Sequence, residues 1–336
     1  MNNFKQNWII FAIVIGLFLV IISEGIDAIN APKKEVPPIA NEGWTAPSLY
    51  LDRNLEGEER ALVIYGEELI ANTAKYLGPN GSVAQITNGM NCQNCHLNAG
   101  KKTWGNNYGA VAANYPKFRD RSGSIETVYK RVSDCMERSL NGMALDSNAR
   151  EMKAMIAYIK WVGHEVKKDS TPKGSGIKAP EYLDRAASPE KGLAVYTAKC
   201  QSCHGNNGEG QLAADGKSYT YPPLWGDHSY NSGAGLFRLS RFAGYVRDNM
   251  PFNQASHKNP ALTDEESWDV AAFVNSRPRP TKDLSKDWPN ISKKPIDHPF
   301  GPYTDGFTEA QHKFGPFAPI NEARKKQEKT KTIAKS

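Results

Sequence analysis

Cys92-Gln93-Asn94-Cys95-His96 and Cys200-Gln201-Ser202-Cys203-His204 are two copies of C-x-x-C-H in one 336-residue chain. This spacing lets two sulfurs add across the vinyl groups of one haem while the adjacent imidazole takes an axial position on its iron. Structural zinc would need further Cys or His partners at short spacing, and a thioredoxin-like pair would need a βαβ setting. Neither is present. Two covalently bound haem c groups are therefore predicted, with His96 and His204 as the first axial ligands. Of the five cysteines, haem attachment uses Cys92, Cys95, Cys200 and Cys203. Cys135 is left without a partner, and an odd cysteine in an exported protein reads as reactive or as a ligand.

The chain repeats one layout around each motif. Leu62, Ile64, Tyr65, Leu69, Ile70 and Tyr76 set a helical pattern from Glu56 to Tyr76, ahead of the first motif. Met152, Met155, Ile156, Ile159 and Val162 form one stripe of a helix from Asn148 to Val166 behind it. In the second copy, Ser188-Pro189-Glu190 opens a helix with a capping residue and a first-turn proline. Thr263-Asp264-Glu265-Glu266 has capping-box spacing and starts a closing helix through Trp268, Ala271, Ala272 and Val274. Pro278 and Pro280 stop it. Opening helix, attachment motif, long loop and closing helix is the layout of a class I cytochrome c domain.

Strand signals are thin, so the expected fold is mostly α: two class I cytochrome c domains in tandem, at 56–166 and 188–280. A linker rich in Lys, Pro, Gly and Ser joins them over 167–187. Residues 281–336 carry six prolines and no sustained period, which predicts an irregular extension that wraps the surface. It ends in a basic tail, Arg324 to Lys335, read as solvated. At the other end Lys5 precedes the apolar run Trp8 to Ile22. Residues 1–30 read either as a cleaved signal peptide or as an N-terminal membrane anchor through residues 7–23. Residues 31–55, with Pro32, Pro37, Pro38 and Pro47, read as an extended spacer. Both readings place the rest of the chain in the periplasm. The net charge of +6 is modest. No nucleic-acid partner is expected, and a mild positive field favours small anions.

The sixth position on each iron sets its potential. For the second haem, Met250 lies 46 residues after His204, and no other methionine falls between His204 and the closing helix. A thioether there makes an ordinary electron-transfer site. For the first haem the candidates are Cys135, 39 residues after His96, and its neighbours Met136 and Met143. Arg131 and Arg138 flank Cys135 and favour its thiolate. A thiolate on iron lowers the potential well below that of a His/Met site.

Asn91-Cys92-Gln93-Asn94-Cys95-His96-Leu97-Asn98-Ala99-Gly100, Tyr115-Pro116, Arg131-x-x-x-Cys135 and Arg138-Ser139-Leu140-Asn141-Gly142 resemble the diheme cytochrome c thiosulfate dehydrogenases, which also act as tetrathionate reductases. The resemblance runs over about residues 57–280. It implies that His96 and Cys135 ligate a catalytic haem, and that a second haem relays electrons. It also implies thiosulfate and tetrathionate as substrates, with Arg121, Ser139 and Arg150 at the substrate site. Some members place a lysine directly before the second methionine ligand. Asn249 stands there here, so a plain His204/Met250 pair is expected.

Joining two thiosulfate dianions demands compensating cations. Arginine suits tetrahedral oxyanions because its planar fork makes several charge-assisted bonds. Arg119, Arg121, Arg131, Arg138 and Arg150 are the candidates. Electrons are expected to pass to or from a periplasmic or membrane-bound partner. The competing readings are a non-enzymatic diheme electron carrier, usually with methionine on both irons, and a related sulfur-oxidation diheme enzyme.

Overall fold

The long helices of the first half are α1 (Gly57–Ala71), α2 (Val128–Arg138) and α3 (Arg150–Val162); those of the second are α4 (Pro189–Lys199), α5 (Leu239–Asn249) and α6 (Asp264–Asn275). The structure, a computed structural model, describes residues 43–178 and 180–333. The predicted signal or anchor at 1–30, and residues 31–42 of the predicted spacer, lie outside the described residues. Among the described residues no helix is long and apolar enough to cross a membrane.

Opening and closing helices cross in both halves, α1 on α3 and α4 on α6. Each crossing is a backbone-to-backbone approach that excludes a side chain. A Cβ on Gly66 would sit 2.1 Å from the Ala154 carbonyl oxygen, and one on Gly192 would sit 1.9 Å from that of Asp269. The predicted stripe of α3 is buried throughout, at Met152, Met155, Ile156, Ile159 and Val162. Each such side chain contributes about 1.5–3 kcal/mol of transfer free energy. In α1 the buried positions are Val63, Gly66, Leu69 and Ile70, while Ile64 faces outward.

The helix predicted from Glu56 to Tyr76 breaks at Asn72 and resumes as a short helix, Thr73–Leu77. The break turns Thr73 toward the first haem motif, where its hydroxyl accepts from the Cys92 N–H at 3.0 Å. In the second half Ser188 caps α4 by accepting from the Lys191 N–H. The Thr263–Glu266 capping box of α6 is formed in both directions. Caps of this kind are worth about 1 kcal/mol each.

Two small antiparallel hairpins complete the halves. They are β1 (Lys117–Arg119) with β2 (Ser124–Glu126), and β3 (Gln211–Leu212) with β4 (Tyr219–Tyr221). The segment at 167–187 is stitched to the first half. Trp104 and Asn106 N–H groups donate to the carbonyls of Gly174 and Gly176, both at 2.9 Å.

Residues 281–308 run irregularly across both halves, pinned by Lys282 to Glu137, Arg138 to Asp287 and Arg238 to Asp297. The end of the extension corrects the expectation of an irregular tail. It forms α7 (Glu309–Phe314) and α8 (Ala318–Ile333). The reason is a packed start: Phe317 and Ile320 are buried in the second core, and the Phe317 ring lies 5.5 Å from that of Trp268. Arg324 then donates to the Lys294 carbonyl at 2.7 Å. A docked first turn supplies the nucleus that a polar sequence lacks by itself.

Candidate active site

Both attachment motifs adopt a turn in which the histidine N–H donates back to the first cysteine, His96 to Cys92 at 2.9 Å and His204 to Cys200 at 3.0 Å. In both, Nδ1 faces a backbone carbonyl: Asn106 at 2.5 Å for His96, and Pro222 at 2.8 Å for His204. A carbonyl accepts only from a protonated Nδ1, so Nε2 carries the lone pair and is free to bind iron. Burial lowers the His96 pKa to about 4, overriding the Asn106 carbonyl, and lowers that of His204 as well. Both imidazoles are neutral, as ligands must be. The Tyr108 ring stacks on His96 at 4.6 Å and fixes its plane. Burial pushes the Cys92 and Cys95 thiols up to about 11 and about 12.

A cavity of about 350 Å³ is lined by Cys92, Cys95, His96 and Cys135, and one of about 470 Å³ by Cys200, Cys203, His204 and Met250. Each brings two attachment sulfurs, one imidazole and the sulfur predicted for the sixth position, Cys135 or Met250, to a single space, which is the donor set a covalent haem needs. The second cavity also takes part of its wall from Asn94, Cys95 and Leu97 of the first half. Met143 is 59% exposed and lines none of these spaces, whereas Met136 is buried and lines the first cavity.

Cys135 differs from Met136 in what lies on its other side. It lines a third cavity, of about 310 Å³, together with His96, Ser139 and five arginines: Arg119, Arg121, Arg131, Arg238 and Arg241. Helix α2 builds this wall. Thr127 caps it by accepting from the Lys130 N–H, and the i, i+4 spacing puts Arg131 and Cys135 on one face. Negative charge on Cys135 raises the Arg131 pKa against the effect of burial. Asp134, one residue away, holds Arg121 at 2.6 Å and also pairs with Lys130. Burial pushes the Asp134 carboxyl up, but the Lys130 hydrogen bond and the Arg121 charge outweigh it and keep it ionised. Arg119 lies 3.8 Å from the buried Glu126.

Two sequence candidates are placed elsewhere. Arg138 makes a two-pronged pair with Asp287, at 2.7 and 2.8 Å, and serves as a strut between α2 and the extension. Arg150 lies over the Tyr65 ring at 5.0 Å, at the start of α3, and lines none of the three cavities. Conversely, the sequence reading missed Arg238 and Arg241 from the second half, and Trp288 and His298 from the extension. No local motif marks these four; only the fold carries them to Cys135.

The family described as SoxA/TsdA, cytochrome c domain matches residues 82–167, and the family described as Cytochrome c matches residues 189–278. The thiosulfate dehydrogenase of Psychrobacter arcticus is 37% identical over 237 residues, covering 70% of this chain and 69% of that protein. That of Allochromatium vinosum is 38% identical over 199 residues, covering 58% and 72%. Among solved structures, the as-isolated form of thiosulfate dehydrogenase (TsdBA) from Marichromatium purpuratum is similar, with a TM-score of 0.63 and 27% identity. The match covers 75% of this chain and 51% of that one, so this chain spans about half the length of that structure.

Proposed function

Since the chain belongs to the diheme thiosulfate dehydrogenase family, we propose that it interconverts thiosulfate and tetrathionate at Cys135. In this reading His96 and Cys135 would hold the iron of the catalytic haem, and His204 and Met250 that of the relay haem. Residues 56–166 then form the catalytic domain and 188–280 the relay domain. The observation that carries the reading is the double placement of Cys135. It lines one cavity with Cys92, Cys95 and His96, and a second in which His96 and Cys95 recur beside five arginines.

The two haems supply one-electron carriers for a two-electron change at sulfur. The remaining chemistry belongs to side chains. In the oxidising direction the Cys135 thiolate and the sulfane sulfur of one thiosulfate form an S–S bond and give up two electrons, leaving Cys135–S–SO₃⁻. The sulfane sulfur of a second thiosulfate then attacks the sulfur attached to the sulfonate. Tetrathionate forms and Cys135 departs as thiolate, which is thiol–disulfide exchange. Arg131 stabilises that thiolate from one helical turn away. Arg119, Arg121 and Arg241 offset the charge of the two dianions, and Ser139 offers a hydroxyl beside Cys135. Cys135 would serve both as a ligand to the haem iron and as the reacting sulfur. The relay site exchanges electrons with a periplasmic or membrane-bound partner, since covalent haem attachment puts the chain outside the cytoplasm.

Cys135→Ala is expected to abolish turnover while both haems stay attached, measured with purified protein in both directions. The paramagnetic-resonance spectrum of the oxidised wild type should show one His/thiolate and one His/Met site. Full activity in Cys135→Ala, or methionine on both irons, would leave only an electron carrier.

A further inference from the structure

The arginine cavity takes one wall from the C-terminal extension, and that wall holds an unmet hydrogen-bond donor. Among the described residues Trp288 Nε1 is buried without an acceptor, although a buried indole N–H normally finds one. The Trp288 backbone sits at φ +61°, a left-handed conformation that bulky residues rarely adopt and that clusters at functional sites. Two contacts hold it there. The Trp288 N–H donates to the Arg121 carbonyl at 2.7 Å. Pro289 packs on the β1–β2 turn at Gly123, where φ is +64° and a Cβ would lie 2.6 Å from the proline ring. The hairpin that carries Arg119 and Arg121 thus also fixes the indole.

The neighbouring carboxylate, Asp287, accepts one bond from Arg138 on each oxygen and takes none from the indole. In the same cavity wall, Arg238 gives Nε and Nη2 to Asp297, and among the described residues Nη1 makes no hydrogen bond. Trp288 and Arg238 line the arginine cavity but not the space containing Cys92 and Tyr108. Cys95, His96 and Cys135 line that same cavity, so a ligand held by Trp288 and Arg238 shares its space with the Cys135 sulfur.

We propose that Trp288 and Arg238 form the second sulfonate subsite. There the indole N–H and the guanidinium bind the thiosulfate that discharges the Cys135 adduct. The inference rests on the activity proposed above and names the residues that select its second substrate. The step is redox-neutral: one S–S bond forms between the two sulfane sulfurs, and the bond to Cys135 Sγ breaks. The electron pair of that bond leaves on Sγ.

The test uses the holoenzyme and Trp288→Phe, which keeps the ring and removes the N–H, with Arg238→Lys as a second variant. Both are assayed with thiosulfate and ferricyanide, and the intact mass is followed during turnover. The expected result for Trp288→Phe is a fall in kcat/KM for thiosulfate of about tenfold, the size of a lost hydrogen bond to a charged group. The Cys135 adduct should accumulate above the wild-type level. Three outcomes would overturn the subsite: loss of adduct formation, kinetics equal to wild type, or unchanged kinetics with a shifted absorption band of the first haem. The last would mean that the indole binds a porphyrin carboxylate. If the unaltered enzyme neither turns over nor forms an adduct, the activity itself is wrong, and that result is distinct from a null confined to the variants.

Discussion

His298 sits in the arginine cavity 9% exposed, and burial lowers its pKa to about 4. The Phe300 carbonyl and Asp297 oppose the shift, while the Lys294 and Arg238 charges reinforce it. Unfolded histidine titrates near 6.5, so between pH ~6.5 and the folded value of about 4 the unfolded chain binds a proton that the folded chain refuses. Stability therefore falls as pH drops through that window, by about 3 kcal/mol in full. Urea midpoints measured from pH 7 to 4.5 should fall less steeply in His298→Gln than in the wild type; equal slopes would show that another group carries the acid sensitivity. Arg138 shows how far sequence reaches at this scale. Its place beside Cys135 was legible, but its role was not, because the carboxylate that claims it lies 149 residues away.

At the scale of elements, the helix crossings are the most sensitive points. Gly66→Ala or Gly192→Ala would force a methyl into a carbonyl oxygen about 2 Å away, and overpacking of this kind costs about 1–3 kcal/mol. Thermal melts of the two variants should fall by several degrees with haem content unchanged. A melt equal to wild type would show that the helices separate freely. The helices themselves were readable: the α3 stripe, the Ser188 cap and the Thr263 capping box all follow local rules that the fold keeps. The break at Asn72 and the helix from Ala318 were not readable. One is set by the reach of Thr73 to Cys92, the other by where Phe317 and Ile320 find a core.

For the whole molecule, the site is an assembly of three segments. Helix α2 and the first hairpin give Cys135, Arg119, Arg121 and Arg131; the second half gives Arg238 and Arg241; the extension gives Trp288 and His298. Haem attachment was visible in the sequence because C-x-x-C-H is a short pattern, and Cys135 stood out because the two motifs use the other four cysteines. The far wall was not, since it depends on tertiary closure. Five arginines around one cavity in a chain of net charge +6 should draw dianions in. Raising ionic strength from about 0.01 to 0.15 M shortens the Debye length from about 30 to 8 Å. Turnover at low thiosulfate should drop several-fold over that range while saturated turnover holds. A flat profile would mean that the field stays local.

The Tyr245 hydroxyl donates to the Asn94 carbonyl, inside the first attachment motif, and Cys95 forms part of the second cavity. The two halves are consequently poor candidates for modular exchange. A chimaera that grafts a foreign cytochrome behind the first motif would inherit an ill-fitting floor under its own porphyrin, so evolution and protein engineering alike must treat the pair as one heritable part.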